Sequence, residues 1–245
     1  MSNTFFFGLL ASSSLLFGGL IGIWLPLQKR TLGIIMAFGA GVLISAISYE
    51  MILEAVRLAR GTGAIAIGIF AGALTFFFLD QWISKLGGSG RKAIEGSLQS
   101  RLVLPIVLAI ILDGIPETAV IGLSMLDDGS VSLAILIAVF ISNLPEAVAS
   151  TTGMKSGGWG ARKILLLWSV IGLVCAMAAP IGYVLAGNAS PFWVAFIEAF
   201  AAGAILVMLA NTMMPEAYAH GGKLAGIFTV LGFVVSTLVV LLERA

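Results

Sequence analysis

Leu112-Asp-Gly-Ile-Pro-Glu117 and Ile141-Ser-Asn-Leu-Pro-Glu146 are the two runs on which the fold turns. Each lies inside a long apolar stretch, and each sets a glutamate directly after a proline, with a polar residue three positions before that proline. About 20 mostly apolar residues cross the hydrocarbon core of a bilayer, so both runs predict membrane-crossing helices. A charged side chain at the centre of a span costs about 2.5–3.5 kcal/mol on insertion scales. Three acids in adjacent spans, Asp113, Glu117 and Glu146, therefore need a cation, protonation or one another. The working expectation is a cation.

Outward from these runs the composition agrees. Of 245 residues, 60% are hydrophobic and 10% charged, the profile of a polytopic membrane protein and not of a soluble domain. One cysteine excludes an internal disulfide and any Cys-x-x-Cys metal site, and one histidine excludes a histidine-rich cluster. A net charge of +1 without a basic helix gives no case for nucleic-acid binding. No Ser-His-Asp set and no His-Glu-x-x-His motif is present, so the sequence predicts no enzyme.

Counting apolar windows predicts an all-α fold of about eight transmembrane helices in a single domain, at roughly 5–26, 32–56, 64–86, 102–125, 131–153, 162–187, 191–217 and 222–242. The first window lacks a basic leader, so it reads as a retained span. Connections are short and marked by glycine, serine, aspartate or lysine; the longest is about 87–101. Of the 13 Lys and Arg residues, only Arg57, Arg60 and Arg244 fall on the side of the termini. The excess on the other side, including Lys29, Arg91 and Lys155, predicts that this side is cytoplasmic and that both termini lie outside. The membrane expected is an inner or plasma membrane. An acidic pair, Asp127-Asp128, sits in an outer loop.

The chain also resembles itself. Met51-Ile-Leu-Glu54-Ala55 in the second span parallels Met213-Met-Pro-Glu216-Ala217 in the seventh. This predicts a three-plus-two-plus-three plan in which spans 1–3 repeat as spans 6–8, crossing in opposite directions. Inverted repeats with proline-interrupted helices near the midplane point to a transporter's binding site.

Asp113 and Glu117 are four residues apart and share a helical face, as do Asn143 and Glu146 at a spacing of three. Pro116 and Pro145 deprive the carbonyls of Leu112 and Ile141 of their helical donors. Carboxylates, an amide and freed carbonyls make an oxygen-rich pocket for a divalent cation. The alternative is that the acids are protonated, bond to one another and only hold helices together.

These proline-glutamate frames resemble those of the ZIP family of divalent-metal permeases, whose fourth span carries His-Asn-x-Pro-Glu-Gly and whose fifth carries a related frame. Here they stand as Asp113-Gly-Ile-Pro-Glu117-Thr and Ser142-Asn-Leu-Pro-Glu146-Ala. The resemblance implies eight spans, external termini and uptake of a divalent metal as substrate through Asp113, Glu117, Asn143 and Glu146. It departs in that both motif histidines are replaced, by Asp113 and Ser142, and the first asparagine by Gly114. The family's sixth-span glutamate falls near Cys175, and Asn211 stands where the family often has an acid. Mostly oxygen ligands shift the expected metal from Zn towards Mn, Fe or Mg. The lost histidines motivate a second reading, a non-transporting membrane sensor or assembly subunit. No organic cofactor is implied; the expected partners are the metal ion, the lipid bilayer and, as a candidate, a second copy in a homodimer.

Lesser candidates are Ser142, Cys175 (a small apolar residue or a ligand), and Glu50 with Glu54, an outer vestibule or a solvated helix end. Glu216 and His220 would receive the ion at the inner end or simply cap their helix.

Overall fold

The computed structural model describes residues 2–25, 27–59, 61–88, 103–126 and 129–244. The loop around 91–101 and the residues Arg60, Arg91, Lys92, Arg101, Asp127 and Asp128 lie outside the described residues.

The described chain is helical, and seven of its helical stretches are long and apolar enough to cross a membrane. A further 21-residue apolar helix runs over Val103–Leu123. The protein is therefore an all-α polytopic membrane protein, as the apolar windows predict. In order, the helices are α1 (Ser2–Trp24), α2 (Lys29–Ala46), α3 (Leu53–Leu58), α4 (Ala64–Ile83), α5 (Val103–Leu123) and α6 (Leu133–Ser156). They continue with α7 (Ala161–Ala176), α8 (Ala178–Gly187), α9 (Pro191–Met208), α10 (Met214–Gly221) and α11 (Leu224–Glu243). A π-helical segment, Ile47–Ile52, joins α2 to α3 inside the second span, and another, Leu209–Met213, joins α9 to α10 inside the seventh.

Two features depart from the simple windows. The sixth span is not one rod: α7 ends at Ala176 and α8 begins at Ala178. Pro180 is the cause, since it lacks the amide that would bond the Ala176 carbonyl. That carbonyl meets Gly8 of α1, where an added Cβ would stand 2.7 Å away. Pro145, by contrast, is accommodated inside an unbroken α6. The Ile141 carbonyl that it frees faces Gly39 of α2, at 3.5 Å from the position of an added Cβ.

The helices sort into two bundles. α4 packs on α9 and α11 packs on α2, while α1 packs on α6 and α7 and α5 packs on α8. Exchanging spans 1–3 with 6–8, and span 4 with 5, maps α4·α9 onto α11·α2. The same exchange maps α1·α6 onto α8·α5. Close glycine contacts obey it too. An added Cβ would stand 1.9 Å from the Phe200 carbonyl oxygen at Gly72 of span 3, and 2.1 Å from that of Phe38 at its counterpart Gly232 of span 8. Gly203 of span 7 meets Ile69 at 2.1 Å, and its counterpart Gly41 of span 2 meets Thr229 at 1.9 Å. The π segments begin four residues before Met51 and four before Met213, the same register in each repeat. Small residues let backbones approach where lipid supplies no hydrophobic drive between helices.

At the face that carries the termini, the end of α11 bridges the bundles. Glu243 accepts from the amides of Leu133 and Ala134, the second at 3.2 Å, so it caps the start of α6 from another span. Arg244 donates to Glu50 Oε1 at 3.0 Å and to the Tyr49 carbonyl at 2.8 Å. Glu243→Ala leaves two helix-terminal amides without this partner. It is expected to lower stability by about 1 kcal/mol, read as a fall in the melting temperature of the purified protein in detergent.

Candidate metal centre

α5 and α6 bring the two proline frames together in the bundle of spans 1, 4, 5 and 6. Asp113 and Asn143 are each 3% exposed and Glu146 7%, and all three line one small cavity. The cavity measures about 10 Å³, room for roughly one water-sized sphere. Gly114 and Ser150 complete its polar part, while Leu15, Ile110 and Trp168 form an apolar wall. No hydrogen bond links the Asn143 amide to another described residue, although the residue is buried. A buried amide normally has a partner. Here its open side is the cavity.

The remaining candidates are placed differently. Glu117 is fully buried, one turn beyond Asp113, but is not part of the cavity wall. Ser142 is also fully buried; its hydroxyl donates to the Val139 carbonyl of its own helix at 3.1 Å. Its backbone lies against Gly39 of the second span. Cys175 stands behind Gly114, where an added Cβ would lie 2.6 Å from its sulfur. The asparagine usual in the resembling frame would collide with that thiol, so Gly114 and Cys175 are a matched pair. Cys175 itself is 1% exposed and does not reach the cavity wall.

Glu50 and Glu54 line a separate, open polar pocket at the face of the termini, with Arg57, Glu243 and Arg244. Each is paired there: Glu50 with Arg244 at 3.0 Å and Glu54 with Arg57 at 3.1 Å. Asn211 lies in the π segment of the seventh span and is exposed. Glu216 and His220 face each other across one turn of α10 at 3.4 Å, near the opposite face. Neither group lines the cavity of the proline frames. Among the described residues, no three His, Cys, Asp or Glu side chains stand close enough to hold an ion by themselves. The cavity instead combines two carboxylates with an amide and a hydroxyl.

Sequence reasoning missed Ser150, Trp168, Leu15 and Ile110. Ser150 was within reach of it: it follows Glu146 by four residues and shares its face. Trp168 and Leu15 belong to other spans, and no local pattern announces their approach.

The fold and cavity define a polytopic helical membrane protein with an acid-lined chamber between two proline-containing spans. No protein-family model matches the chain. Over 197 residues it is 25% identical to a protein of Arabidopsis thaliana that bears the provisional name of a zinc transporter. The similarity covers 80% of this chain and 31% of that protein, so the chain spans about a third of the length of the curated relative it matches.

Proposed function

We propose that this chain is a permease unit that carries a divalent metal cation across a membrane, its substrate passing through the chamber of Asp113, Asn143 and Glu146. The observation that carries the reading is the convergence of these three side chains on one water-sized cavity, with the buried Asn143 amide open to it. An ion there would exchange part of its water for two carboxylates, an amide oxygen and the Ser150 hydroxyl. Its charge would offset the penalty of holding acids inside the bilayer. The likeness of the proline-glutamate frames to those of the ZIP family, and the distant similarity to a protein named for zinc transport, support the same direction. Zinc is the substrate that the resemblance favours; the oxygen-rich ligands also suit manganese, iron or magnesium. Glu117, buried one turn away, adds negative potential without lining the chamber.

The excess of Lys and Arg opposite the termini favours an orientation with that face in the cytoplasm, and inward transport is the direction that the resemblance to the ZIP family implies. Release follows when the bundle of spans 1, 4, 5 and 6 moves against that of spans 2, 3, 7 and 8. The seam between them is suited to sliding. It includes a largely apolar crevice of Ala119, Val174, Met177, Phe200 and Ala204.

A second reading, a non-transporting sensor or assembly subunit, is favoured by the absence of three ligating His, Cys, Asp or Glu side chains around one point among the described residues. Uptake into proteoliposomes separates the two. Vesicles with the purified chain should accumulate Zn²⁺, Mn²⁺ or Fe²⁺ well above protein-free vesicles. Binding without accumulation supports the sensor, and neither binding nor accumulation overturns the metal reading altogether.

A further inference from the structure

The chamber has one wall that the proline frames do not supply. Trp168 of α7 is 1% exposed and lines the cavity together with the acids of α5 and α6. Its ring is fixed at two points. The indole N–H donates to Thr151 Oγ1 at 2.7 Å, a buried bond one turn beyond the Glu146 face of α6. The same edge of the ring fills the space left by Gly19 of α1, where an added Cβ would stand 2.5 Å from Cδ1 and 3.1 Å from Nε1. Leu15 and Ile110 extend the same apolar surface.

We propose that Trp168 is a specificity-determining residue: its immobilised ring denies a cation in the chamber the water it would otherwise keep. This inference rests on the reading of the chamber as a metal site. The physical argument is one of coordination number and hydration. The space among Asp113, Asn143, Glu146 and Ser150 is about one water-sized sphere, room for the ion itself and not for further water. Four ligands at short distance satisfy a tetrahedral ion such as Zn²⁺. Mg²⁺ demands six, dehydrates reluctantly and usually keeps several waters. The rest of the chamber wall is indole and alkyl surface from Trp168, Leu15 and Ile110, which offers such waters neither volume nor hydrogen bonds. The wall thus discriminates against tightly hydrated cations, although the oxygen donors alone would accept them. Thr151 is a positioning residue, acting only through the orientation of the indole.

The test is competitive binding of Zn²⁺ and Mg²⁺ to the purified full chain in detergent, measured by equilibrium dialysis. For the unaltered protein, bound Zn²⁺ should resist a large excess of Mg²⁺. Trp168→Ala opens the wall and should lower the Zn²⁺-over-Mg²⁺ preference by about tenfold or more, the scale on which a pocket reads a change of a few atoms. Trp168→Phe should lie between, and Thr151→Val should shift the preference in the same direction as Trp168→Phe. Co²⁺ supplies a second readout. Bound beside the ring, it should quench tryptophan fluorescence in the unaltered protein and do so less in Trp168→Phe. If Trp168→Ala does not yield folded protein, Leu15→Ala opens the same chamber without touching the indole and should also lower the preference. Unchanged discrimination in the folded variants that still bind Zn²⁺ would overturn the role of Trp168 and leave the metal site standing. Failure of the unaltered chain to bind Zn²⁺, Co²⁺ or Mg²⁺ at all would overturn both.

Discussion

Glu146→Ala is expected to bring metal uptake into proteoliposomes down to the level of protein-free vesicles, with Asp113→Ala doing the same. Both side chains are almost fully buried and face one cavity. Residues that only support metal ligands cost about 10–100-fold in affinity or activity when altered, so a direct carboxylate donor should exceed that. Removing one acid also leaves an ion in the chamber with one ligand and one negative charge fewer, which weakens its binding. Glu216→Ala is the control. That glutamate pairs with His220 at the far end of α10 and does not line the chamber, so uptake should stay near that of the unaltered protein. Initial rates of Zn²⁺ entry, normalised to reconstituted protein, make the measurement. Full uptake by both Glu146→Ala and Asp113→Ala would remove the chamber from the pathway.

The largest expected effect on stability comes from the glycine contacts that hold the second bundle. Gly41→Ala and Gly72→Ala each place a methyl 1.9 Å from a backbone oxygen, of Thr229 and Phe200 respectively. A carbonyl on a packed helix has no rotamer with which to yield, so the helices must separate. Overpacking of this kind costs about 1–3 kcal/mol in ordinary cores and occasionally more. Contacts this short put both changes at or beyond the upper end, where loss of folded, monodisperse protein is expected. Gly226→Ala on α11 is the matched control. Nothing stands within 4 Å of its added Cβ, and it lies in a helix, so the change should be neutral or stabilising by up to about 1 kcal/mol. Thermal unfolding in detergent compares the three. Equal stability of all three would show that the helices pack otherwise.

How much of the fold and of the chamber is legible in the sequence differs from element to element. The apolar windows reveal the spans because the bilayer imposes a length and forbids unsatisfied backbone. The repeated Pro-Glu frame points to Asp113, Asn143 and Glu146, since spacing on one helix fixes which side chains share a face. It also promotes Glu117 and Ser142 equally, because a frame does not say how the helix is rotated against its neighbours. Arg244, which pairs with Glu50 from 194 residues away, shows the limit most plainly. Long-range partners depend on packing, and nothing local in the chain encodes them. The π segments are equally hidden. The one in the seventh span lies just before Pro215, but its counterpart in the second span has Leu53 at the corresponding place and forms without a proline.

The break in the sixth span carries a consequence for its counterpart. Gly182 meets the Ala119 carbonyl of α5, 2.8 Å from an added Cβ, and Gly22 meets the Val148 carbonyl of α6 at 2.9 Å, so the two glycines occupy matching places in the repeated units. On that register Met177, where the sixth span divides, corresponds to Phe17 of the unbroken α1. Pro180 corresponds to Leu20, which keeps its amide, so the first span runs unbroken where the sixth divides. The two repeats therefore part company in backbone at this one point, and the asymmetry between them traces to a single missing amide.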